Sequence, residues 1–205
     1  MNNIIRIDEL MKEFVKIGAV TYKKPPHPSI FIHDSLICAQ PDLMWWASQL
    51  LAHRIKDAIA AGRLQTPDLL VTTGIKSTAL CQLLAYYLRL ISVGNVGFRW
   101  SSYSDELQRN ILAPAFITKD DVGGRALIVK CRLTSFDRTN MRFNDTLLLA
   151  RECGIEFVGA AGIFNCDGAV PEEMGLPAIV TVYTKDHLDL VERQLMNELV
   201  PAVAA

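Results

Sequence analysis

Asp68–Ile91 reads DLLVTTGIKSTALCQLLAYYLRLI, and its two halves follow different periods. Asp68 to Thr73 is an apolar, β-branched run that meets Gly74, the pattern of a strand buried on both faces. From Ser77 to Ile91, Leu80, Leu83, Leu84 and Leu88 recur on one side at helical spacing. A doubly buried strand that feeds a helix through a glycine turn predicts a parallel sheet covered by helices.

Working outward, the same alternation returns. Ala126–Val129 (ALIV) follows a Gly123–Gly124 turn and precedes a helical stretch, Asn144–Cys153, that stops at Gly154. Glu156–Phe164 (EFVGAAGIF) and Ala178–Tyr183 (AIVTVY) are further strands, the latter followed by a helix over Lys185–Leu199. One parallel sheet is therefore expected from residues 68–73, 126–130, 156–163 and 178–183. Upstream, Ala19–Lys23 and Ser29–Asp34 read as two short strands joined by the stiff link Lys24–Pro28, and Leu43–Ala61 as a long helix. Val96–Pro114 is the least regular stretch, either a surface loop or a flap over the sheet end, where open α/β folds bind ligands. No linker or repeat divides the chain, so residues 1–205 read as a single domain.

Half of the residues are hydrophobic, which excludes a disordered chain. The 21 basic and 22 acidic residues leave a net charge of −1, so no long-range field gathers nucleic acid or an anionic membrane. No apolar run reaches the ~20 residues that span a bilayer. Asp8, Glu9 and Glu13 argue against reading the amino terminus as a signal peptide. Five scattered cysteines with no CxxC spacing, and four histidines with no HExxH pattern, predict neither a disulfide framework nor a metal site. Reduced thiols and a cytoplasmic location are expected.

Five segments then fall in a telling order over roughly residues 10–195: Phe14–Lys23 (FVKIGAVTYK) with Ser29–Asp34 (SIFIHD), Asp68–Leu80, Gly123–Val129 (GGRALIV), Glu152–Gly162 (ECGIEFVGAAG) and Met174–Val191 (MGLPAIVTVYTKDHLDLV). Together they resemble the orotate phosphoribosyltransferases of the type I phosphoribosyltransferase family. The resemblance implies an α/β phosphoribosyltransferase fold: a central parallel sheet, helices on both faces and a small N-terminal hood formed by residues 1–40. It implies a flap-like loop at 95–120 and a homodimer, for which Trp45, Trp46, Phe98, Trp100 and Tyr103 offer apolar contact area. It also puts Lys76 on the pyrophosphate loop and Phe31 and His33 on the strand that contributes to the base site, there either lining a ring-binding pocket or packing under the hood, with Lys23 a further ligand-binding candidate.

The pattern is broken at its chemical centre. Members of the resembled family end the strand after the GGRALIV position in two carboxylates that hold the ribose of phosphoribosyl pyrophosphate. A small-residue turn then takes the 5′-phosphate on its amides at a helix amino terminus. Here Lys130–Cys131 stands at the expected strand end, and Arg132-Leu133-Thr134-Ser135-Phe136-Asp137-Arg138-Thr139 follows as the turn. At about 5 Å and an effective dielectric near 20, each exchanged unit charge matters by roughly 3 kcal/mol. Phe98–Phe116 has no lysine or histidine where the family's flap neutralises pyrophosphate. Phe164-Asn165-Cys166-Asp167 lacks the arginine that would face an orotate carboxylate.

Thr134, Ser135, Arg138 and Thr139 remain candidates for a phosphate or nucleotide, against the plainer reading of a solvated helix start. Lys130 either attracts a bare phosphate or points away in a surface ion pair, while Asp137 and Asp145 lie near enough to Arg132, Arg138 and Arg142 to offset part of their charge. Cys131, between Lys130 and Arg132, sits where a thiol pKa could fall, yet no adjacent general base makes it a nucleophile. Cys38, Cys81 and Cys153 read as core residues. Three functions follow: a non-catalytic relative that binds a nucleotide, another phosphorylated ligand or a protein partner; an active phosphoribosyltransferase of nucleotide biosynthesis or salvage with an unusual donor site; or a purely structural interaction dimer. No catalytic residue is assigned, and Mg²⁺ is expected only alongside phosphoribosyl pyrophosphate.

Overall fold

The computed structural model describes residues 6–23, 29–72, 75–94, 124–139, 143–144, 147, 151 and 154–199. The chain runs α1 (Ile7–Lys16), β1 (Val20–Lys23), β2 (Ser29–Ile32), α2 (Asp34–Cys38), α3 (Pro41–Ala60), β3 (Leu69–Thr72), α4 (Thr78–Leu88) and β4 (Ile91–Gly94). It continues through β5 (Gly124–Leu133), β6 (Ile155–Asn165), α5 (Pro171–Met174), β7 (Ile179–Tyr183) and α6 (Lys185–Leu199). The expected flap at 95–120 lies outside the described residues.

Five strands form one parallel sheet in the order β4-β3-β5-β6-β7. Side chains alternate across β5: Leu127, Val129 and Cys131 enter a core shared with α1, α3 and α4. Ala126, Ile128 and Leu133 enter a second core with Leu69, Val71, Phe143, Phe157 and Met174. A parallel strand buried on both faces needs this continuous apolar run, and the sequence supplies it. Where β5 meets β6 the register skips Val158, and Gly159 then passes so close to β7 that a Cβ would lie 2.6 Å from the Ala178 carbonyl oxygen.

All four expected strands are in this sheet, and three differences are instructive. The helix after Ser77 ends at Leu88 rather than Ile91, because Arg89 turns left-handed (φ 57°, ψ 46°) and the Leu90 N–H reaches back to the Ala85 carbonyl. The chain is thereby released into β4, an edge strand that had no separate sequence signal. Helix α1 was likewise not anticipated, although Leu10 and Phe14 sit one turn apart and are fully buried. Finally, β5 does not stop at Lys130–Cys131: Arg132 pairs with Phe164 and Leu133 with Asn165, so the strand runs to Leu133.

The hood consists of the antiparallel pair β1–β2, in register Val20↔Ile32 to Lys23↔Ser29, followed by α2. It is fixed over the carboxyl ends of the strands. Phe14 of α1 packs 5.6 Å from Phe164 and 6.3 Å from Tyr183, and the Tyr183 hydroxyl donates to the Ile7 carbonyl at 2.6 Å. Asp34, first residue of α2, holds the Arg132 guanidinium at 2.8 Å. Among the described residues no helix is long and apolar enough to cross a membrane.

Candidate ligand site at the carboxyl end of the sheet

Because β3 and β5 are neighbours, with Thr72 opposite Val129, the turns that leave them lie side by side. The turn after β3 is a single 3₁₀ turn, Ile75–Ser77, leading into α4. The Ser77 hydroxyl accepts the Cys131 N–H at 3.0 Å and so ties the turn to β5. The Lys76 carbonyl points inward, 2.7 Å from Cys38 Sγ and 3.6 Å from Cys131 Sγ. Its side chain is exposed, and no carboxylate among the described residues pairs with it.

The turn after β5 behaves differently. A 3₁₀ turn over Ser135–Thr139 brings Asp137 back against its own strand, where one carboxylate oxygen takes the Lys130 ammonium. The other oxygen accepts the Thr134 N–H at 3.1 Å. Both partners are withdrawn from water, at 18% and 7% side-chain exposure, so this is a structural ion pair and not a surface one. The Lys130 ammonium also lies 5.6 Å from the centre of the Phe143 ring. Two residues before Asp137, Ser135 gives its N–H (2.9 Å) and its hydroxyl (2.6 Å) to Asp167, which also accepts the Ala169 N–H at 3.2 Å. The Thr134 N–H and the Ser135 N–H and hydroxyl, the donors a phosphate would use, are thus already held by two carboxylates of this chain.

The hood candidates meet one another. Lys23 Nζ sits 3.7 Å above the Phe31 ring, and the Phe31 and His33 rings are 4.4 Å apart, edge to face. They reach the sheet through Asp34, next to His33, and its pair with Arg132. Thr134 and Ser135 belong instead to the β5 turn, while the side chains of Arg138 and Thr139 lie outside the described residues. Asp34, Ser77 and Asp167 organise this end of the sheet, and sequence reasoning gave none of them a role. For Asp167 the available signal was its place at the end of β6, where the resembled family has arginine.

The thiols correct two readings. Cys131 is 1% exposed and its pKa is raised, first by the hydrogen bond shared with Cys38 and then by burial. Flanking basic residues do not lower it, because its side chain faces the core rather than the turn. Cys38 is partly exposed rather than core, and its pKa is lowered, chiefly by the Cys131 hydrogen bond. Burial pushes Cys166 up to about 12. Among the described residues no group of three or more His, Cys, Asp or Glu could hold a metal ion. The described cavities lie elsewhere: one of about 800 Å³ between α1 and α6, and one of about 410 Å³ at the amino ends of β6 and β7.

No family model and no curated protein matches the sequence. Solved structures do. The chain is similar to UMP synthase from Leishmania donovani (13% identity, TM-score 0.62), covering 95% of this chain but 39% of that one. It is similar to orotate phosphoribosyltransferase from Aeropyrum pernix (17% identity, TM-score 0.59), with 93% and 98% of the two chains covered. Adenine phosphoribosyltransferase from Leishmania tarentolae is also similar (12% identity, TM-score 0.53, covering 90% and 91%). The chain therefore has the phosphoribosyltransferase fold, as the order of its sequence segments predicted.

Proposed function

We propose that this chain is a phosphoribosyltransferase-fold protein that binds a nucleotide or other phosphorylated ligand and does not transfer phosphoribosyl groups. The observation that carries the reading is the state of the β5 turn. Lys130 stands at the position where the resembled family has a carboxylate and is locked to Asp137, while the Thr134 N–H and the Ser135 N–H and hydroxyl are spent on Asp137 and Asp167. A 5′-phosphate would have to displace two carboxylates and leave Lys130 buried without its partner. Ribose hydroxyls would find an ammonium, which accepts no hydrogen bond, and a Cys131 side chain turned into the core.

What supports ligand binding is the other turn and the hood. Lys76 presents an exposed ammonium, and Lys23, Phe31 and His33 give a cation and two edge-to-face rings that suit a heterocycle. A catalytic contact made mainly in the transition state is worth roughly 3 kcal/mol, about a hundredfold in rate, so losing several brings turnover to background. The proposed protein works in the cytoplasm as a homodimer. The aromatic group of Trp45, Tyr86 and Tyr87 on α3 and α4, with Trp45 40% and Tyr86 72% exposed, supports the dimer.

The test is orotate consumption with phosphoribosyl pyrophosphate and Mg²⁺, followed by absorbance, beside a Lys130→Asp, Cys131→Asp variant. No turnover by the unmodified protein is expected. Robust turnover that disappears in Lys76→Ala overturns the reading in favour of an active transferase with an unusual donor site. Thermal shift against nucleotides and phosphosugars addresses the ligand, and silence across the whole set leaves only the interaction dimer.

A further inference from the structure

Two cysteines 93 residues apart in sequence meet where the hood touches the sheet. Cys38 Sγ, at the end of α2, is 3.9 Å from Cys131 Sγ on β5. Both sulfurs face the same acceptor, the Lys76 carbonyl. The other described thiols are set apart from this pair: Cys81 is 1% exposed within the core, and Cys166 lies beyond the end of β6. We propose that Cys38 and Cys131 are an oxidation site for peroxides, closing to a reversible disulfide that staples the hood to the sheet and loosens the Lys76 turn.

The pair divides the work in a way its burial explains. Cys38 is partly exposed, so a peroxide can reach it, and the Cys131 S–H, helped by the Lys76 ammonium, favours its thiolate more than burial and the Asp34 carboxylate oppose it. The Cys38 thiolate attacks one peroxide oxygen: the S–O bond forms, the O–O bond breaks, and the other oxygen leaves as hydroxide or alkoxide and takes a proton. Cys131, giving up its proton as it reacts, then attacks the sulfenic sulfur of Cys38. The S–S bond forms as the S–O bond breaks, and the departing hydroxide takes the Cys131 proton to become water. Overall two thiols lose two electrons and two protons, and one peroxide is reduced to water and an alcohol or to two waters. A dithiol reverses the step by exchange.

The geometry needs little adjustment. A disulfide has its sulfurs about 2.05 Å apart, so the pair must close by just under ~2 Å. That movement is within reach of a Cys38 rotamer change and a small shift of the five-residue helix α2. Closure removes both S–H groups from the Lys76 carbonyl, which leaves the turn held to β5 by the Ser77 hydroxyl. The inference does not depend on the proposed function, since it concerns the thiols and not the ligand.

The experiment is peptide mapping without reductant. Reduced full-length protein is exposed to hydrogen peroxide, alkylated, digested and examined by mass spectrometry, with methionine oxidation as the sign that oxidant was active. The expected product is a Cys38–Cys131 linked peptide that disappears on treatment with dithiothreitol. It should persist in Cys166→Ser and be absent in Cys38→Ser, whose substituted side chain is partly exposed and whose fold is checked by circular dichroism. Tryptic cleavage after Lys23 should slow several-fold on oxidation of the unmodified protein and not of Cys38→Ser. Recovery of both cysteines as alkylated thiols while methionines oxidise would overturn the proposal. So would Cys38 stopping at sulfinic acid with Cys131 free, or a linked product whose hood is cleaved at the unoxidised rate.

Discussion

The turns that leave β3 and β5 sit next to each other at one end of one sheet, yet they have opposite electrostatic states. The first, Ile75–Ser77, carries an exposed lysine with no carboxylate partner among the described residues. The second, Ser135–Thr139, is closed: Asp137 takes Lys130 and the Thr134 N–H, and Asp167 takes the Ser135 N–H and hydroxyl. A backbone shape that could receive an anion is no anion site once the chain's own anions fill it. The difference lies in two aspartates rather than in the path of the sheet.

The contrast can be broken most forcefully at Asp137. Asp137→Ala strands the Lys130 ammonium in a mostly buried position and leaves the Thr134 N–H without its acceptor. The expected loss is about 3–5 kcal/mol in urea unfolding. A Lys130→Met, Asp137→Leu double variant should recover most of it, because desolvating the pair offsets much of its attraction. If Asp137→Ala alone were neutral, the closed turn would contribute nothing to stability.

Alkaline pH probes the same side of the sheet. Cys166, just past β6 and beside Asp167, has its thiol pushed up to about 12, as does Cys81 in the core. Below an ordinary thiol pKa of about 8.5 both states keep these protons. Above it the unfolded chain releases them first, so stability falls with rising pH toward about 12. Each thiol contributes at most about 1.4 kcal/mol per pH unit. Urea titrations at pH 8 and pH 10 should show the decline, and Cys166→Ser should reduce its slope by one thiol's share.

Asp167→Ala is expected to cost less, about 1–2 kcal/mol, because water can reach the Ser135 and Ala169 donors it uncovers. Smallest of all, Lys76→Ala should change stability by less than about 0.5 kcal/mol. The same variant should weaken ribose 5-phosphate binding about tenfold by calorimetry, the worth of one charge-assisted hydrogen bond. A stability loss at Lys76 as large as that at Asp137 would erase the distinction between the turns.

The contrast also marks how far the sequence could be read. The interior strands were legible because burial on both faces imposes an unbroken apolar run, and DLLVTT, ALIV, EFVGAAGIF and AIVTVY all have one. Edge strand β4 depends on the left-handed Arg89, a conformation ordinarily left to glycine, so nothing local announced it. At the site, the absence of the family's carboxylates was legible at Lys130–Cys131, and so was the presence of Asp137 near a basic stretch. That Asp137 pairs with Lys130, that Asp167 reaches Ser135 from 32 residues away, and that Cys38 meets Cys131 across 93 residues were not. The first follows from the 3₁₀ turn that folds back on β5, the other two from the crossover that sets β5 beside β6 and from the docking of the hood, and no sequence spacing encodes them.

The central claim, that the β5 turn is closed to phosphate by its own carboxylates, is tested most directly by amide chemical shifts during a ribose 5-phosphate titration. The account predicts that Thr134 and Ser135 stay fixed in the unmodified protein while Lys76 and Ser77 move, and that Ser135 begins to respond in Asp167→Ala. Saturable shifts of Thr134 and Ser135 in the unmodified protein, with Lys76 silent, would contradict it.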